Sequence, residues 1–302
     1  MKTVLITGGT GLVGSRLTEM LLEQGYAVTH LSRKADTTAT VKTYAWDIPN
    51  GKIDKKCLRE ADYIVHLAGA GIADQRWTTD RKKEILSSRT DSILLIAKTL
   101  KSTPHHIQAL VSASGISYYG TDTGDIRLTE QSSAGTDFLA EVSVRWEAAA
   151  DAVAALGIRT VKLRTGIVLS DKGGALPKLV APIRWGAGAA LGSGKQFQSW
   201  IHLDDLCRMY IAAIEQSTWN GAYNAVAPLP TTNAELTQLA AKQLYRPLYL
   251  PNIPAWALQL AFGEMAQVVT GGNYIINQRI ATETSFQYQF PDLKKALANL
   301  LH

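Results

Sequence analysis

The stretch that decides the fold reads Thr3-Val4-Leu5-Ile6-Thr7-Gly8-Gly9-Thr10-Gly11-Leu12-Val13-Gly14. It opens with a short apolar run, Thr3 to Thr7, whose β-branched residues are typical of a buried strand. Apolar residues then recur at helical spacing from Val13 to Leu21, and Gly25 marks the expected end of that helix. The glycines therefore occupy the turn between a strand and the helix that follows it.

Three of these glycines form a Gly-x-x-Gly-x-x-Gly motif in that turn. Glycine permits a tight turn, close approach of the backbone to a pyrophosphate, and close packing of helix on strand. The helix N-terminus adds unpaired N–H groups and a partial positive charge. We therefore expect a dinucleotide site rather than a tight turn alone. The predicted contacts are Gly8, Thr10, Gly11, Leu12 and Val13.

The end of the second predicted strand, Ala27 to Leu31, indicates which dinucleotide is bound. An NAD site places Asp or Glu about 20 residues beyond the glycine turn, where it holds the ribose 2′-OH. Here the strand leads into Ser32, Arg33 and Lys34, with no acid. A hydroxyl and two cations suit a 2′-phosphate, which arginine binds through charge-assisted hydrogen bonds. We expect NADP; the alternative is that Arg33 and Lys34 are an exposed loop pair.

The first half of the chain alternates β-rich runs with helical patterns, as in a parallel α/β sheet. Further predicted elements are strands at 63–67, 109–112, 160–163 and 222–226, and helices at about 79–100, 140–155 and 203–216. Residues 170–200 are rich in glycine and are interpreted as loops, with Trp185 and Trp200 as anchors. The predicted domains are residues 1–169 with about 201–227, which bind the dinucleotide, and residues 170–200 with 228–302, a smaller interleaved lobe.

Composition excludes several classes of protein. The 302 residues are 46% hydrophobic and 19% charged, which rules out intrinsic disorder. Cys57 and Cys207 cannot form a disulfide framework for this length, so a reducing compartment is expected. No apolar run reaches the ~18 residues of a membrane span, and the apolar start is too short for a signal peptide. We therefore expect a cytoplasmic protein that binds no membrane. Because the net charge of +5 is dispersed, we expect no binding of nucleic acid either.

Several further motifs are specific when taken together. They are His66-Leu67-Ala68-Gly69, Arg76-Trp77, Glu84 with Arg89, Ser112-Ala113-Ser114 leading to Tyr118-Tyr119-Gly120, the run 145–150, Arg164-Thr165-Gly166, the run 200–205, and Phe290-Pro291-Asp292-Leu293. With the glycine turn, they make the chain resemble the extended short-chain dehydrogenase/reductases. More narrowly, it resembles the YfcH-type epimerase family with a DUF1731-type C-terminal region, and the resemblance covers nearly the whole chain.

The resemblance implies an α/β fold: a Rossmann-type doubly wound parallel sheet with a small interleaved C-terminal substrate lobe. It implies a bound nicotinamide cofactor, a small-molecule substrate, and a homodimer formed through helices at 79–101 and 140–155. Carried over by position, the cofactor contacts would be Leu67, Ala68, Gly69, Ser112, Val168, Glu84 and Arg89. For Glu84 and Arg89, the alternative is a solvent-exposed ion pair on the helix.

One family feature is absent. Short-chain dehydrogenases use Tyr-x-x-x-Lys to move a proton, and no tyrosine of this chain has a lysine four residues on. Aligning Glu147 with the acid that often follows the motif puts Leu139 at the tyrosine position and Ser143 at the lysine position. Ser114 and Tyr118 are then the predicted catalytic residues, and the alternative for Tyr118 is packing of the loop. No residue spacing indicates a metal site.

Two functions remain open at the level of the sequence. The first is an NADP(H)-dependent oxidoreductase or epimerase-like enzyme that acts on a small polar, nucleotide-linked or other, substrate. Arg184 and Lys195 would meet an anionic substrate, and Trp185, Phe197 and Trp200 would form walls for a ring. The second is a non-catalytic NADP(H)-binding redox sensor that has lost the catalytic pair.

Overall fold

The computed structural model describes residues 1–36 and 38–301. Its strands, in chain order, are β1 Thr3–Thr7, β2 Ala27–Ser32, β3 Thr43–Asp47, β4 Lys52–Ile53, β5 Tyr63–His66, β6 Ala109–Gly115, β7 Arg127–Leu128, β8 Arg159–Thr165, β9 Ile167–Leu169, β10 Phe197–Gln198, β11 Trp200–His202, β12 Gly221–Ala225, β13 Thr231–Thr232 and β14 Tyr274–Ile275. Its helices are α1 Leu12–Glu23, α2 Lys56–Glu60, α3 Thr79–Lys101, α4 Phe138–Ala154, α5 Ala175–Arg184, α6 Leu203–Glu215, α7 Asn233–Gln243, α8 Ala255–Phe262, α9 Gln267–Thr270, α10 Gln278–Glu283 and α11 Leu293–Leu300. Short 3-10 helices occur at Ile116–Tyr119 and Gly263–Ala266.

The main sheet has eight strands in the order β12-β8-β6-β5-β1-β2-β3-β4. Its strand pairs are parallel except for β3 with β4. The chain builds β2 and β3 on one side of β1, then crosses to build β5, β6, β8 and β12 on the other. The order therefore reverses between β1 and β5, and a crevice opens outside their carboxyl ends. The predicted Rossmann-type α/β fold is confirmed.

Alternation along β1 shows how the sheet is covered on both faces. Val4 and Ile6 pack with α1 and α6 on one face, whereas Leu5 packs with α2, α3 and α4 on the other. All three side chains are fully buried. Side chains that point to either face of β1 are buried, because helices cover both faces of this parallel sheet. This explains the uninterrupted apolar run in the sequence.

The smaller lobe contains a helix where the sequence predicted loops. In α5 the apolar residues Leu176, Val180 and Ile183 are buried at helical spacing against α7 and α11. Pro177 lies in the first turn, where proline is tolerated because no N–H bond is lost. Trp200 is buried, as predicted for an anchor, but Trp185 is 89% exposed because it follows the last residue of α5. The domain boundaries stay a prediction.

None of the helices in the described ranges is both long and apolar enough to cross a bilayer. The cytoplasmic location stays a prediction.

His66, at the carboxyl end of β5, makes the stability of the fold depend on pH. Its side chain is fully buried, with Nε2 2.9 Å from the Ser92 hydroxyl and Nδ1 without a partner in the described chain. Burial lowers the pKa of His66 to about 3. An unfolded histidine titrates near pH 6.5. The stability that neutral His66 contributes is thus fully present above that pH and is lost as the pH falls toward 3.

We predict that His66→Gln flattens the acid limb of the stability profile. Between pH 6 and 4 the wild-type free energy of unfolding should fall more steeply, by about 1.4 kcal/mol for each pH unit, because only the wild type must leave this histidine unprotonated. Urea unfolding of both proteins across this range measures the difference. Parallel profiles would contradict the assignment.

Candidate functional site

The glycine turn presents the free end of α1 to the crevice. Gly8 has a φ of 71°, and its carbonyl accepts a hydrogen bond of 3.0 Å from the Gly11 N–H. Gly11 precedes the first helical residue and no side chain caps it. The N–H groups of the first turn of α1 therefore remain available to an anion, and the partial positive charge of the helix reinforces them.

Two positions of the turn accept only glycine. A Cβ at Gly14 would lie 2.3 Å from the Gly8 carbonyl oxygen, and a Cβ at Gly9 would lie 2.4 Å from the His30 ring. The His30 ring bonds the Thr18 hydroxyl at 2.9 Å, and Thr18 donates in turn to the Gly14 carbonyl. Burial lowers the pKa of His30, which favours the neutral ring that packs against Gly9 of the turn. Sequence reasoning missed His30, although its position on the strand next to the turn was a usable signal.

The opposite wall of the crevice is the segment that follows β5. The N–H groups of Leu67 and Ala68 both donate to the Thr7 hydroxyl at 3.1 Å, which fixes the end of β5 to the end of β1. The exposed Gly69 follows. The structure thus brings the predicted residues 67–69 against the glycine turn. Of the more distant predictions, Ser112 is buried with its hydroxyl donating to the Ala113 carbonyl, and Val168 is half-buried in β9.

Arg89 is buried behind this wall with few partners. Its side chain is 6% exposed, and a Cβ at Gly69 would lie 3.1 Å from its Cζ. Nη1 donates to the Ile85 carbonyl at 2.8 Å, Nε has no partner in the described chain, and the guanidinium lies 5.0 Å from the Trp146 ring centroid. Burial, aided by the charge of Arg81, lowers the pKa of Arg89 to about 10. Arg89 therefore stays cationic at neutral pH, and none of the described residues forms an ion pair with it.

Glu84 does not accompany Arg89. It pairs with Arg81 at 2.7 Å, and its side chain is 58% exposed. The exposed Glu84–Arg89 pair weighed as an alternative is therefore not formed, and the partner of Glu84 is Arg81, whose side chain is only 8% exposed. Arg81 also donates to the Gly71 carbonyl and holds the loop that follows Gly69.

The end of β2 lies beside the glycine turn. Leu31 is in register with Thr7 on β1, so Ser32, Arg33 and Lys34 leave the sheet next to Gly8. Ser32 is half-buried, and Arg33 and Lys34 are exposed. Within residues 1–36 and 38–301, neither cation forms an ion pair. Their side chains are available to an anionic group at this edge.

The Ser114 hydroxyl is bonded to a buried ion pair and does not point freely into the crevice. Its hydroxyl donates to Glu147 Oε1 at 2.8 Å, and Glu147 accepts two further bonds from Arg164 at 2.7 and 2.9 Å. All three residues are buried. Burial alone would lower the pKa of Arg164, but the Glu147 carboxylate raises it above its ordinary value. Because the single hydroxyl proton of Ser114 goes to a carboxylate, the prediction that it polarises a substrate oxygen is corrected: Ser114 is part of the packing of α4 on β6 and β8.

The two tyrosines after Ser114 differ in their partners. Tyr119 donates to Asn224 at 2.7 Å and accepts from Arg164 at 2.9 Å, and burial raises its pKa to about 12. Tyr118 is half-buried, with its ring face 3.4 Å from the Arg164 guanidinium carbon. Both rings pack in the loop, as the alternative for these tyrosines expects. The Tyr118 hydroxyl, however, forms no hydrogen bond with the described residues.

A cavity of about 450 Å³ lies between the starts of α3 and α4 and the segment 255–270. Its lining residues are Lys82, Asp137, Phe138, Ala255, Gln259, Gly263, Glu264, Ala266, Gln267 and Thr270. Lys82 pairs with Glu264 and lies 5.2 Å from the Phe138 ring centroid. Asp137 caps α4 and accepts from Thr121, so its carboxylate is already engaged.

The substrate contacts suggested from the sequence lie elsewhere. Lys195 and Arg184 are exposed, and Arg184 borders a smaller groove of about 240 Å³ near the end of the chain. Trp200 is core, Trp185 is on the surface, and Phe197 packs edge-on against Tyr274 at 4.8 Å. None of these five residues is among those that line the 450 Å³ cavity, and their assignment as substrate contacts stays a prediction. The described residues contain no group of three or more metal-ligating side chains.

Comparison with known proteins adds independent information. Residues 4–225 match the NAD dependent epimerase/dehydratase family, and residues 253–300 match the domain of unknown function DUF1731. The chain is 33% identical over 299 residues to the epimerase family protein YfhF of Bacillus subtilis, covering 99% of this chain and 97% of that one. It is 35% identical over 302 residues to the human epimerase family protein SDR39U1, with 99% of each covered. The crystal structure of human SDR39U1 (isoform 2) with NADPH matches with a TM-score of 0.88 at 34% identity over 99% of both chains.

We predict that the Glu147–Arg164 ion pair is structural and contributes more to stability than the Ser114 hydroxyl that is bonded to it. Glu147→Gln should cost about 3–5 kcal/mol of unfolding free energy, because the buried Arg164 loses its counter-charge. Ser114→Ala should cost only about 1 kcal/mol, because Glu147 keeps both bonds from Arg164. Urea unfolding measures both. Equal losses in the two variants would contradict the larger contribution assigned to the charge pair.

Proposed function

The chain belongs to the NAD dependent epimerase/dehydratase family, and on that premise we propose that it is an NADP(H)-dependent oxidoreductase or epimerase-like enzyme for a small polar substrate. One observation carries the proposal. The uncapped N-terminus of α1 meets a turn so close that a Cβ at Gly14 would lie 2.3 Å from the Gly8 oxygen. That close approach leaves amide donors facing a crevice at the reversal of strand order, where a dinucleotide pyrophosphate fits.

The residues on both walls fit NADP(H). The N–H groups at Leu12 and Val13, in the first turn of α1, would hold the pyrophosphate. Ser32, Arg33 and Lys34 would hold the 2′-phosphate, since no acid at the end of β2 would repel it. Support comes from the 34% identical human protein, whose structure contains NADPH.

Arg89, behind the other wall of the crevice, also supports the binding of an anionic dinucleotide. A buried guanidinium without a carboxylate is costly, because desolvation of the charge is not offset by a partner. It lies directly behind Gly69, which borders the crevice. A dinucleotide there would supply the missing negative charge. Arg89 therefore acts on the cofactor through its field, whereas Arg33 would contact it.

NADPH, when bound, supplies a hydride. The protein must then hold the substrate and move a proton. The 450 Å³ cavity beside α4 is of the size of a small-ligand site and offers the Phe138 ring and the carboxamides of Gln259 and Gln267. Tyr118 is the proton donor we assign, because its hydroxyl is uncommitted whereas Ser114 is bound to Glu147.

A second candidate is a non-catalytic NADP(H)-binding redox sensor. It is favoured by one observation: the positions of the absent catalytic pair hold a buried Leu139 and a Ser143 whose hydroxyl donates to the Leu139 carbonyl. Neither side chain can titrate near neutral pH. The homodimer implied by the resemblance also stays a prediction.

We predict that the purified protein, stripped of cofactor, binds NADPH at least about tenfold more tightly than NADH. Arg33→Ala should weaken NADPH binding about tenfold or more through loss of a charge-assisted hydrogen bond, and should leave NADH unchanged. Fluorescence titration gives the dissociation constants, with Arg59→Ala on α2 as the control for loss of an exposed cation. Equal affinity for the two cofactors in the wild type would contradict the assignment of Arg33.

We predict that hydride leaves C4-deuterated NADPH when the protein is incubated with a panel of nucleotide sugars and small carbonyl compounds. Tyr118→Phe should slow this transfer about 100-fold or more, whereas Ser114→Ala should change it only slightly. Mass spectrometry of the cofactor and product is the measurement. Loss of transfer in Ser114→Ala but not in Tyr118→Phe would reverse the assignment. Retention of all label, with protease sensitivity that differs between NADPH and NADP⁺, would favour the sensor.

A further inference from the structure

Two serine hydroxyls meet at the carboxyl end of β6. Ser117, in the 3-10 helix Ile116–Tyr119, and Ser143, on α4, have their Oγ atoms 3.1 Å apart. Gly115 lies beside both: a Cβ there would be 3.1 Å from Ser117 Oγ and 3.9 Å from Ser143 Oγ. Because residue 115 has no side chain, nothing at that position covers the two hydroxyls at the end of the strand.

The hydrogen bonds of the pair have a direction. Ser143 Oγ donates to the Leu139 carbonyl at 2.9 Å, and a hydroxyl has only one proton. Ser117 must then donate to Ser143, and this uses the proton of Ser117. Ser143 is 3% exposed, but Ser117 is only half-buried. The outer oxygen of the relay is thus a hydrogen-bond acceptor with open lone pairs.

Position and polarity together define what this oxygen can bind. A doubly wound sheet binds one mononucleotide half of a dinucleotide at the carboxyl ends of each half of the sheet. The glycine turn and β2 belong to the first half, and β6 lies in the second, beyond the reversal between β1 and β5. The group that faces Ser117 is therefore the nicotinamide nucleoside, whose ribose carries hydroxyl donors. An acceptor oxygen repels phosphate and favours such a donor.

We propose that Ser117 Oγ accepts a hydrogen bond from a hydroxyl of the nicotinamide ribose and that Ser143 positions it by accepting the hydrogen bond that Ser117 donates. This inference rests on the proposed binding of NADP(H). The two serine hydroxyls would then form a neutral hydrogen-bonded pair at the end of β6, in a chain that lacks the Tyr-x-x-x-Lys pair of the family. Ser117 contacts the cofactor, whereas Ser143 acts through Ser117.

The test compares two ligands that share one half. NADPH contains the nicotinamide ribose, whereas adenosine 2′,5′-bisphosphate has the adenosine 2′-phosphate end alone. Ser117→Ala should weaken NADPH about three- to tenfold, the range for one neutral hydrogen bond, and leave the bisphosphate unchanged. Ser117→Thr retains the hydroxyl and should restore NADPH affinity. Ser143→Ala should weaken NADPH less than Ser117→Ala does, because Ser117 then keeps its oxygen but loses its orientation. Isothermal titration calorimetry measures all affinities.

Ser102→Ala is the matched control. Its hydroxyl also donates to a helix carbonyl, that of Thr99 at 3.2 Å, but Ser102 lies between α3 and the amino end of β6, whereas the two serines lie at the carboxyl end of β6. NADPH affinity in Ser117→Ala equal to that of the wild type would overturn the inference. So would equal weakening of both ligands, which would mark the serines as structural. Failure of the wild type to bind either ligand would instead refute the proposed function.

Discussion

The contact between Gly14 and Gly8 sets the geometry from which the rest of the site follows. The N-terminus of α1 can reach the end of β1 only because no side chain stands at residue 14, where a Cβ would be 2.3 Å from the Gly8 oxygen. The approach directs the uncapped amides of α1 toward the crevice. Next to this contact, the Thr18 hydroxyl donates to the Gly14 carbonyl and bonds the His30 ring, which lies against Gly9. A backbone contact thus organises a helix, a turn and the neighbouring strand.

The buried pair of Glu147 and Arg164 performs a comparable task on the far side of the crevice. It joins α4 to β8 and, through Ser114 and Tyr119, to β6 and β12. Desolvating two charges is expensive, and well-packed apolar residues often do as well energetically. The directional bonds fix how α4 lies on the sheet, and with it the positions of Ser143 and of the cavity next to Phe138. The buried polar groups of this region thus orient α4 on the sheet, and the hydroxyls of Tyr118 and Ser117 are the ones proposed to act on substrate and cofactor.

Local sequence predicted those parts of the molecule that local chemistry determines. The glycine turn, the acid-free end of β2 and the apolar run of β1 each need only neighbouring residues. Ser114 was misassigned because its partner Glu147 is 33 residues away along the chain. The burial of Arg89 was not predictable, since it depends on Gly69 and Trp146 from two other segments. The helix α5 was missed because two prolines and several glycines concealed the spacing of Leu176, Val180 and Ile183.

The loop in front of Arg89 links one wall of the crevice to residues 260–264. The loop that begins at Gly69, in front of this guanidinium, continues to Arg76, which donates to the Leu260 carbonyl at the end of α8 at 3.0 Å. Lys82, in the first turn of α3, pairs with Glu264 just beyond α8. An anion that neutralises Arg89 would therefore act on a loop that is already bonded to the segment lining the cavity. The same stretch of chain, residues 69–82, therefore borders the buried cation at one end and is bonded to residues 260–264 beside the cavity at the other.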